Sequence, residues 1–217
     1  MIITIDGPAG SGKSTVARKL AMRLAFIHLN SGGLFRAVGL KAVQRGGPTD
    51  DDAAVAELAR ELDFQFELSA DSETTFRVDG NDIHAKLADE EVGKLASVVG
   101  LLPSVRRHLL EVQRAVGQKH SLVVEGRDSG TVVFPDAEFK FYLNATPDVR
   151  AVRRLKEQRG SRTNLDEVLK QIVERDTQDA MREFAPHRKA DDALLIDTSE
   201  LTPEEVVERI AEQMKHK

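Results

Sequence analysis

The sequence contains no cysteine and no tryptophan, one tyrosine, and aromatic residues at only 5%. Without cysteine there is no disulfide framework, no thiolate metal site and no thiol nucleophile. So few aromatic rings leave no platform on which the bases of a single strand would stack. Long apolar runs are missing too, and none approaches the roughly 18 residues that a bilayer span requires. The opening MIITIDGPAG has neither the basic n-region nor the apolar h-region of a secretory signal. No membrane association is expected, and a cytoplasmic location is. Acidic residues outnumber basic ones, for a net charge of -5, which argues against nucleic-acid binding over the surface as a whole. At 41% hydrophobic and 31% charged residues the chain can bury a core. Its 217 residues favour one globular domain, 1–217, with room for an inserted sub-domain.

Short apolar runs at Ile2–Asp6, Ile27–Asn30, 121–125, 140–143 and 193–197 read as strands. Amphipathic helical patterns alternate with them, which is the signature of a parallel sheet built from βαβ units. Thr146-Pro147 and Thr202-Pro203 each place a capping hydroxyl before a proline at the first helical position, and Thr202 with Glu205 has capping-box spacing. Asp50, Asp51 and Asp52 read as the acidic first turn of a helix running to about Leu62, a structural role and not a metal site. One stretch breaks the rhythm. Phe64, Phe66 and Leu68, then Thr74, Phe76 and Val78, alternate with polar residues, and Asp79-Gly80-Asn81-Asp82 turns after them. Period-2 alternation around turn residues predicts antiparallel strands in a small insert at about 63–90. Helical patterns resume at about 90–100 and 103–117.

Directly after the first strand stands Gly7-Pro8-Ala9-Gly10-Ser11-Gly12-Lys13-Ser14-Thr15, followed by the apolar helical stripe Val16, Leu20, Leu24. This fits G-x-x-x-x-G-K-[ST] in its confirming strand–loop–helix setting. Glycines let consecutive N–H groups converge on phosphate oxygens, and the helix N-terminus adds partial positive charge. Lys13 supplies a cation for the β- and γ-phosphates, and the Ser14 hydroxyl a ligand for Mg²⁺. The chain is expected to bind a nucleoside triphosphate. That changes the weight of a second feature: between positions 150 and 189, eleven basic residues face seven acidic ones inside an acidic chain. A solvated face laced with ion pairs would look the same, but beside a triphosphate the stretch reads as an anion-binding wall. The Arg159-Gly160-Ser161-Arg162 turn between two helical patterns is then a candidate lid.

A GTPase switch would need Asp-x-x-Gly and Asn-Lys-x-Asp elements, and neither occurs. The strand Leu122-Val123-Val124 runs into Glu125-Gly126-Arg127-Asp128, and the second strand into Asn30-Ser31-Gly32-Gly33-Leu34-Phe35-Arg36. Ligands of open α/β sheets bind at the carboxyl ends of strands, so Ser31, Arg36 and Arg127 are placed toward the crevice of Lys13. A second anionic substrate opposite the triphosphate points to a small-molecule kinase.

The motifs ITIDGPAGSGKST, NSGGLFR, LASVVGLLPSVRRHL, EGRDSGTVVFPDA and ERDTQDAMREFAP, in this order, resemble the bacterial type of the cytidylate kinase family. The likeness covers nearly the whole chain, insert included. EGRD-x-GTVVFPDA is specific to that family, whereas the phosphate loop is shared by many. The resemblance implies a P-loop kinase fold: a five-stranded parallel sheet flanked by helices, a small β-rich insert and a short lid. It implies a core of 1–30, 103–148 and 183–217, a monophosphate-binding part of 31–102, and a lid of about 149–182. It implies Mg²⁺-dependent transfer of the γ-phosphoryl group of ATP to CMP or dCMP by a monomer. By position, Gly7 to Thr15 surround the triphosphate, and Arg36 and Arg127 hold the monophosphate with Ser31 beside them. Ser97, Arg106 and Asp128 read cytosine, and Arg175, Asp179 and Arg182 reach sugar and phosphates. On spacing alone the last three share one helical face and equally fit a surface ion-pair ladder.

Three positions depart from the family pattern: Asn30 where Asp is common, Phe35 where Tyr is common, and Gln178 where relatives carry Arg, with Arg159 or Arg162 as substitutes for its phosphate contact. Lys13, Arg154 and Arg182 are expected to spread the charge of the transferring group, and the histidines to be bystanders. Adenylate or shikimate kinase activity on the same fold, and a catalytically silent nucleotide-binding regulator, are the alternatives. The cytosine-reading set argues against the first two, and an intact Lys13 against the third.

Overall fold

The computed structural model describes residues 1–87, 89–157, 164–181, 183 and 185–215. β1 (Ile2–Asp6) leads through the phosphate loop into α1 (Lys13–Leu24), followed by β2 (Ile27–Asn30), α2 (Ser31–Gln44) and α3 (Asp52–Glu61). The insert supplies β3 (Phe64–Leu68), β4 (Thr74–Val78), β5 (Asn81–Asp82) and α4 (His84–Leu87). Then come α5 (Glu90–Val99), α6 (Pro103–Lys119), β6 (Leu122–Gly126), a π-helical turn at Ser129–Val133 and β7 (Phe139–Asn144). The chain continues through α7 (Pro147–Glu157), α8 (Leu165–Ala180), β8 (Leu194–Asp197) and α9 (Pro203–Lys215).

Five strands form one sheet in the order β2-β6-β1-β7-β8, and β7 runs parallel to both β1 and β8. Ile3, Thr4 and Ile5 are wholly buried, as are Leu122, Val123 and Val124. Such runs, buried on both faces, are what a parallel sheet covered by helices requires. The strands at 121–125, 140–143 and 193–197 shift by a residue at one or both ends, to Leu122–Gly126, Phe139–Asn144 and Leu194–Asp197. Asp51, not the whole aspartate triplet, caps α3: its carboxylate accepts the N–H groups of Ala53 and Ala54, both at 3.0 Å. Thr202 and Glu205 form the expected capping box, with Glu205 accepting from Thr202 N–H at 2.8 Å and donating to its hydroxyl oxygen at 3.3 Å.

Contacts divide the chain into two compact units, one of Met1 with 21–124 and one of 2–20 with 125–217. In the first, β3 and β4 pair antiparallel with Phe66 opposite Phe76, their rings stacked at 4.8 Å. Asn81 and Asp82, expected within the turn, instead pair back with Val78 and Arg77 as a short third strand. The insert therefore ends in a helical turn, α4, and not in strand. Leu34, Val38, Val55, Ala59, Val105 and Leu109 join α2, α3 and α6 in one buried cluster, against which Phe64, Phe66 and Phe76 pack. In the second unit, Ala151 of α7 meets Val168 and Ile172 of α8.

The contact of α2 with α5 is close enough to demand a glycine. A methyl group on Gly39 would stand 2.8 Å from Leu95 Cβ and 3.3 Å from its carbonyl carbon. Gly39→Ala gains about 1 kcal/mol of helix propensity but overpacks a helix contact, at a cost of roughly 1–3 kcal/mol. Overpacking wins: thermal denaturation followed by circular dichroism is expected to show a midpoint lowered by a few degrees.

Candidate active site

The phosphate loop takes its shape from neighbours that leave no room for side chains. Gly7 has φ +154°, and a Cβ there would lie 2.1 Å from the carbonyl oxygen of Leu143. Gly10 has φ +76°, and its Cβ would lie 2.8 Å from the Arg150 carbonyl oxygen. Both positions also favour glycine on conformation alone. Inside this curve Lys13 is 9% exposed, and its Nζ donates to the Pro8 carbonyl at 3.2 Å. Burial lowers its pKa from the ordinary 10.5 to about 7; Arg127 and Arg175 push the same way, while Glu125 and Asp179 oppose them. Cations drawn together around a buried ammonium mark a place built for anionic charge.

Ser14 stands exposed at the start of α1, and its hydroxyl donates to Glu125 Oε2 at 2.5 Å. Glu125 is 2% exposed near the end of β6. Thr15 follows Ser14, also exposed. A hydroxyl and a carboxylate side by side at the lip of a phosphate loop form an oxygen donor pair that suits Mg²⁺, which completes its shell with water and phosphate oxygens. Among the described residues no group of three or more His, Cys, Asp or Glu side chains forms a self-sufficient metal cage.

Arg127, one residue beyond β6, points its Nε at Asp179 Oδ2, 3.0 Å away, and both side chains are largely buried. Asp179 and Arg175 lie on α8, which ends at Ala180 with Met181 as its cap. Arg175 and Asp179 share α8 as expected, and Arg182 lies outside the described residues. So does the 159–162 turn expected to be the lid tip. Gln178 is exposed on α8. Asp128 is 7% exposed and opens the π-helical turn, a rare element frequent at functional sites.

In the other unit, Asn30 caps α2, with its side-chain oxygen accepting the Gly33 N–H at 2.9 Å. Asn and Asp cap equally well, so this departure leaves the local fold unchanged. Ser31 is buried in the first turn. Arg36 Nη1 donates to the Leu87 carbonyl, and its Nη2 lies 3.5 Å from where a Cβ of Gly93 would be. Ser97 donates to the Gly93 carbonyl at 3.3 Å. Arg106 is 6% exposed and donates to the Gly100 carbonyl at 3.1 Å. Its guanidinium lies 5.3 Å from the centroid of the Phe35 ring, so Phe35 keeps an aromatic face as a seat for a cation.

Sequence reasoning missed several residues. Arg150 is 5% exposed and donates to the Ala9 carbonyl at 3.2 Å and to Asp176 at 2.6 Å. Arg153 donates to Thr198, whose hydroxyl donates to the Ser11 carbonyl at 3.0 Å. These arginines of α7 hold the phosphate loop, and Arg154, half-buried, follows them on the same helix. His187, expected to be a bystander, is 3.1 Å from the Tyr142 hydroxyl and stacks on that ring. The one available sequence signal for Glu125 was its place at the end of the third apolar run.

The model of the family described as "Cytidylate kinase" matches residues 3–216. A cytidylate kinase of Geobacter sp. (strain M21) is 44% identical over 219 residues, spanning 100% of this chain and 94% of that relative. One from Chromobacterium violaceum is 44% identical over 218 residues, spanning 100% of this chain and 96% of its own length. The shikimate kinase structure from Bacteroides thetaiotaomicron aligns with a TM-score of 0.53 at 17% identity, covering 99% of this chain and 98% of the other, a likeness of fold alone. With the family model and these relatives running nearly end to end along it, the chain belongs to the cytidylate kinase family.

Proposed function

We propose that this kinase transfers the γ-phosphoryl group of ATP to CMP or dCMP, giving ADP and CDP or dCDP. The observation that carries the reading is the crowding of Arg127 and Arg175 around a buried Lys13 whose pKa falls to about 7. Only anionic charge of phosphoryl type makes sense of that arrangement in a chain of this family. Gly7, Pro8, Ala9, Gly10, Ser11, Gly12, Lys13, Ser14 and Thr15 embrace the triphosphate. Residues 31–102 serve as the monophosphate-binding part, 149–182 as the lid, and the rest as core. The enzyme acts as a cytoplasmic monomer. Among the described residues no helix is long and apolar enough to cross a membrane.

An oxygen of the CMP phosphate attacks the γ-phosphorus in line; the new P–O bond forms as the bond to the β,γ-bridging oxygen breaks and ADP leaves. No side-chain nucleophile is needed, because positioning and charge neutralisation supply most of the rate. Lys13, Arg154 and Arg182 spread the charge of the transferring group. Ser31, Arg36 and Arg127 hold the acceptor phosphate, and Arg175, Asp179 and Arg182 reach its sugar and phosphates. Ser97, Arg106 and Asp128 read the base. Ser14 and Glu125 would hold Mg²⁺, which neutralises phosphate charge and orients the triphosphate when bound. Turnover of a panel of nucleoside monophosphates with ATP and Mg²⁺ tests the whole reading: CMP and dCMP are expected to lead, and equal or absent turnover would sink it.

The Lys13 environment gives a pH dependence with a definite sign. A lysine whose pKa is lowered to about 7 loses its charge as pH rises through that value. The free enzyme therefore loses its phosphate cation, and kcat/KM for ATP is expected to fall roughly tenfold per pH unit above about 8. The limiting kcat holds to higher pH, since bound triphosphate raises the lysine pKa again. Initial-rate profiles between pH 6 and 9.5 check this, and a flat kcat/KM would contradict it.

Base choice follows from hydrogen-bond polarity. Cytosine offers an amino donor at N4 and an acceptor at N3, and uracil inverts both. A carboxylate accepts from N4 and a guanidinium donates to N3. Asp128→Asn presents an amide N–H suited to O4 of uracil, so CMP activity is expected to drop and the CMP/UMP ratio of kcat/KM to narrow from a starting value of up to roughly 10⁴. An unchanged ratio would remove Asp128 from base reading.

A further inference from the structure

The reaction as described leaves one buried carboxylate without a task. Asp6, the last residue of β1, is 5% exposed, and both its oxygens are committed. Oδ1 accepts the Ser129 N–H at 2.9 Å and Oδ2 the Gly130 N–H at 2.7 Å. These are the first two residues of the π-helical turn. The same turn closes on the other side of the peptide link that follows Asp128. The Asp128 carbonyl accepts N–H groups from Val132 at 2.9 Å and Val133 at 3.2 Å. One planar peptide unit is thus gripped at both ends, its carbonyl by the turn and its N–H by Asp6, and a planar unit so held fixes the backbone rotation that aims the Asp128 side chain.

Two parallel N–H donors call for two acceptor oxygens, which a carboxylate has and a carboxamide lacks. The fit comes at a cost. Burial raises the Asp6 pKa from the ordinary 3.8 to about 6, the nearby Asp128 adds to this, and the two N–H bonds only partly offset it. A carboxyl raised in this way is ionised at neutral pH, and the fold loses stability as pH rises from 3.8 to about 6. The other ionisable groups around it are otherwise engaged. On β7 its register partner is Tyr142, which bonds His187; within β6 Glu125 bonds Ser14, and beyond the strand ends Arg127 bonds Asp179 and Lys13 bonds the Pro8 carbonyl. A destabilising charge retained at such a place marks a requirement of function rather than of folding.

We propose that Asp6 is a positioning residue for the acceptor nucleotide: by holding the Ser129 and Gly130 N–H groups it aims the Asp128 carboxylate, and with it Arg127, at the pyrimidine nucleotide. Asp6 touches no substrate itself. The assignment rests on the reading of Asp128 and Arg127 as nucleotide contacts.

Two lesions attack the same contact from opposite sides. Asp6→Asn turns an amide N–H toward one of the two donors. Gly130→Ala keeps the carboxylate but places a methyl group 2.8 Å from Thr4 Oγ1 and 3.4 Å from Asp6 Oδ2, pushing the turn away. In each variant KM for CMP, and Kd for CMP by calorimetry, are expected to rise about tenfold or more, the worth of hydrogen bonds to a charged group. KM for ATP is expected to stay within about twofold, and the CMP/UMP ratio of kcat/KM to narrow. A purely structural role would instead raise both KM values together with a lowered Tm, and that result, or unchanged CMP binding in either folded variant, overturns the assignment. Should Asp6→Asn fail to fold, Gly130→Ala alone decides. Wild-type enzyme without CMP turnover would overturn the underlying reading, whereas wild-type turnover with unaltered variants overturns Asp6 alone.

Discussion

Like charges held close in a dry place are the constraint on which the rest of this site depends. Burial, with Arg127 and Arg175 adding to it, depresses the Lys13 pKa to about 7. Such a cluster survives only with compensation. Glu125 and Asp179 provide it, each a buried carboxylate with a second duty: Glu125 takes the Ser14 proton donor and Asp179 takes Arg127. Truncating one member of such a set leaves an unpaired buried charge, which is far more damaging than losing a surface pair. The two carboxylates therefore hold the shape of the cluster by pairing its cations and the Ser14 hydroxyl.

What the sequence made legible was chemistry carried by local pattern. The loop from Gly7 to Thr15 could be read because glycine, lysine and hydroxyl must stand at fixed spacing to surround a phosphate. The alternation of Phe64, Phe66, Phe76 and Val78 with polar residues reported the insert, since the period of 2 has one cause. The strand ends slipped by a residue because apolar runs do not show where hydrogen bonding stops. Asn81 and Asp82 look like turn residues, and tertiary pairing with Arg77 and Val78 overrode that tendency.

The remainder was hidden because it joins residues far apart in the chain. Ser14 and Glu125 are 111 positions apart, Asp6 and Gly130 are 124, and Ser11 and Thr198 are 187. No spacing rule reaches across such intervals. The π-helical turn was equally unreadable: Ser129 to Val133 has no amphipathic period, and Asp6, which accepts two of its N–H groups, lies far off in sequence. The arginines of α7 illustrate a third limit. Nothing in the spacing of Arg150 and Arg153 tells that one is anchored to the phosphate loop and the other to Thr198.

The backbone carbonyls of that loop have a further meaning. Pro8 gives its oxygen to Lys13, Ala9 to Arg150, Ser11 to Thr198 and Gly12 to the Val16 N–H of the following helix. With these lone pairs engaged, a peptide flip that would swing an oxygen into the cradle must first break a bond on the far side. These four peptides are thereby held in one orientation, each by a bond that a flip would break.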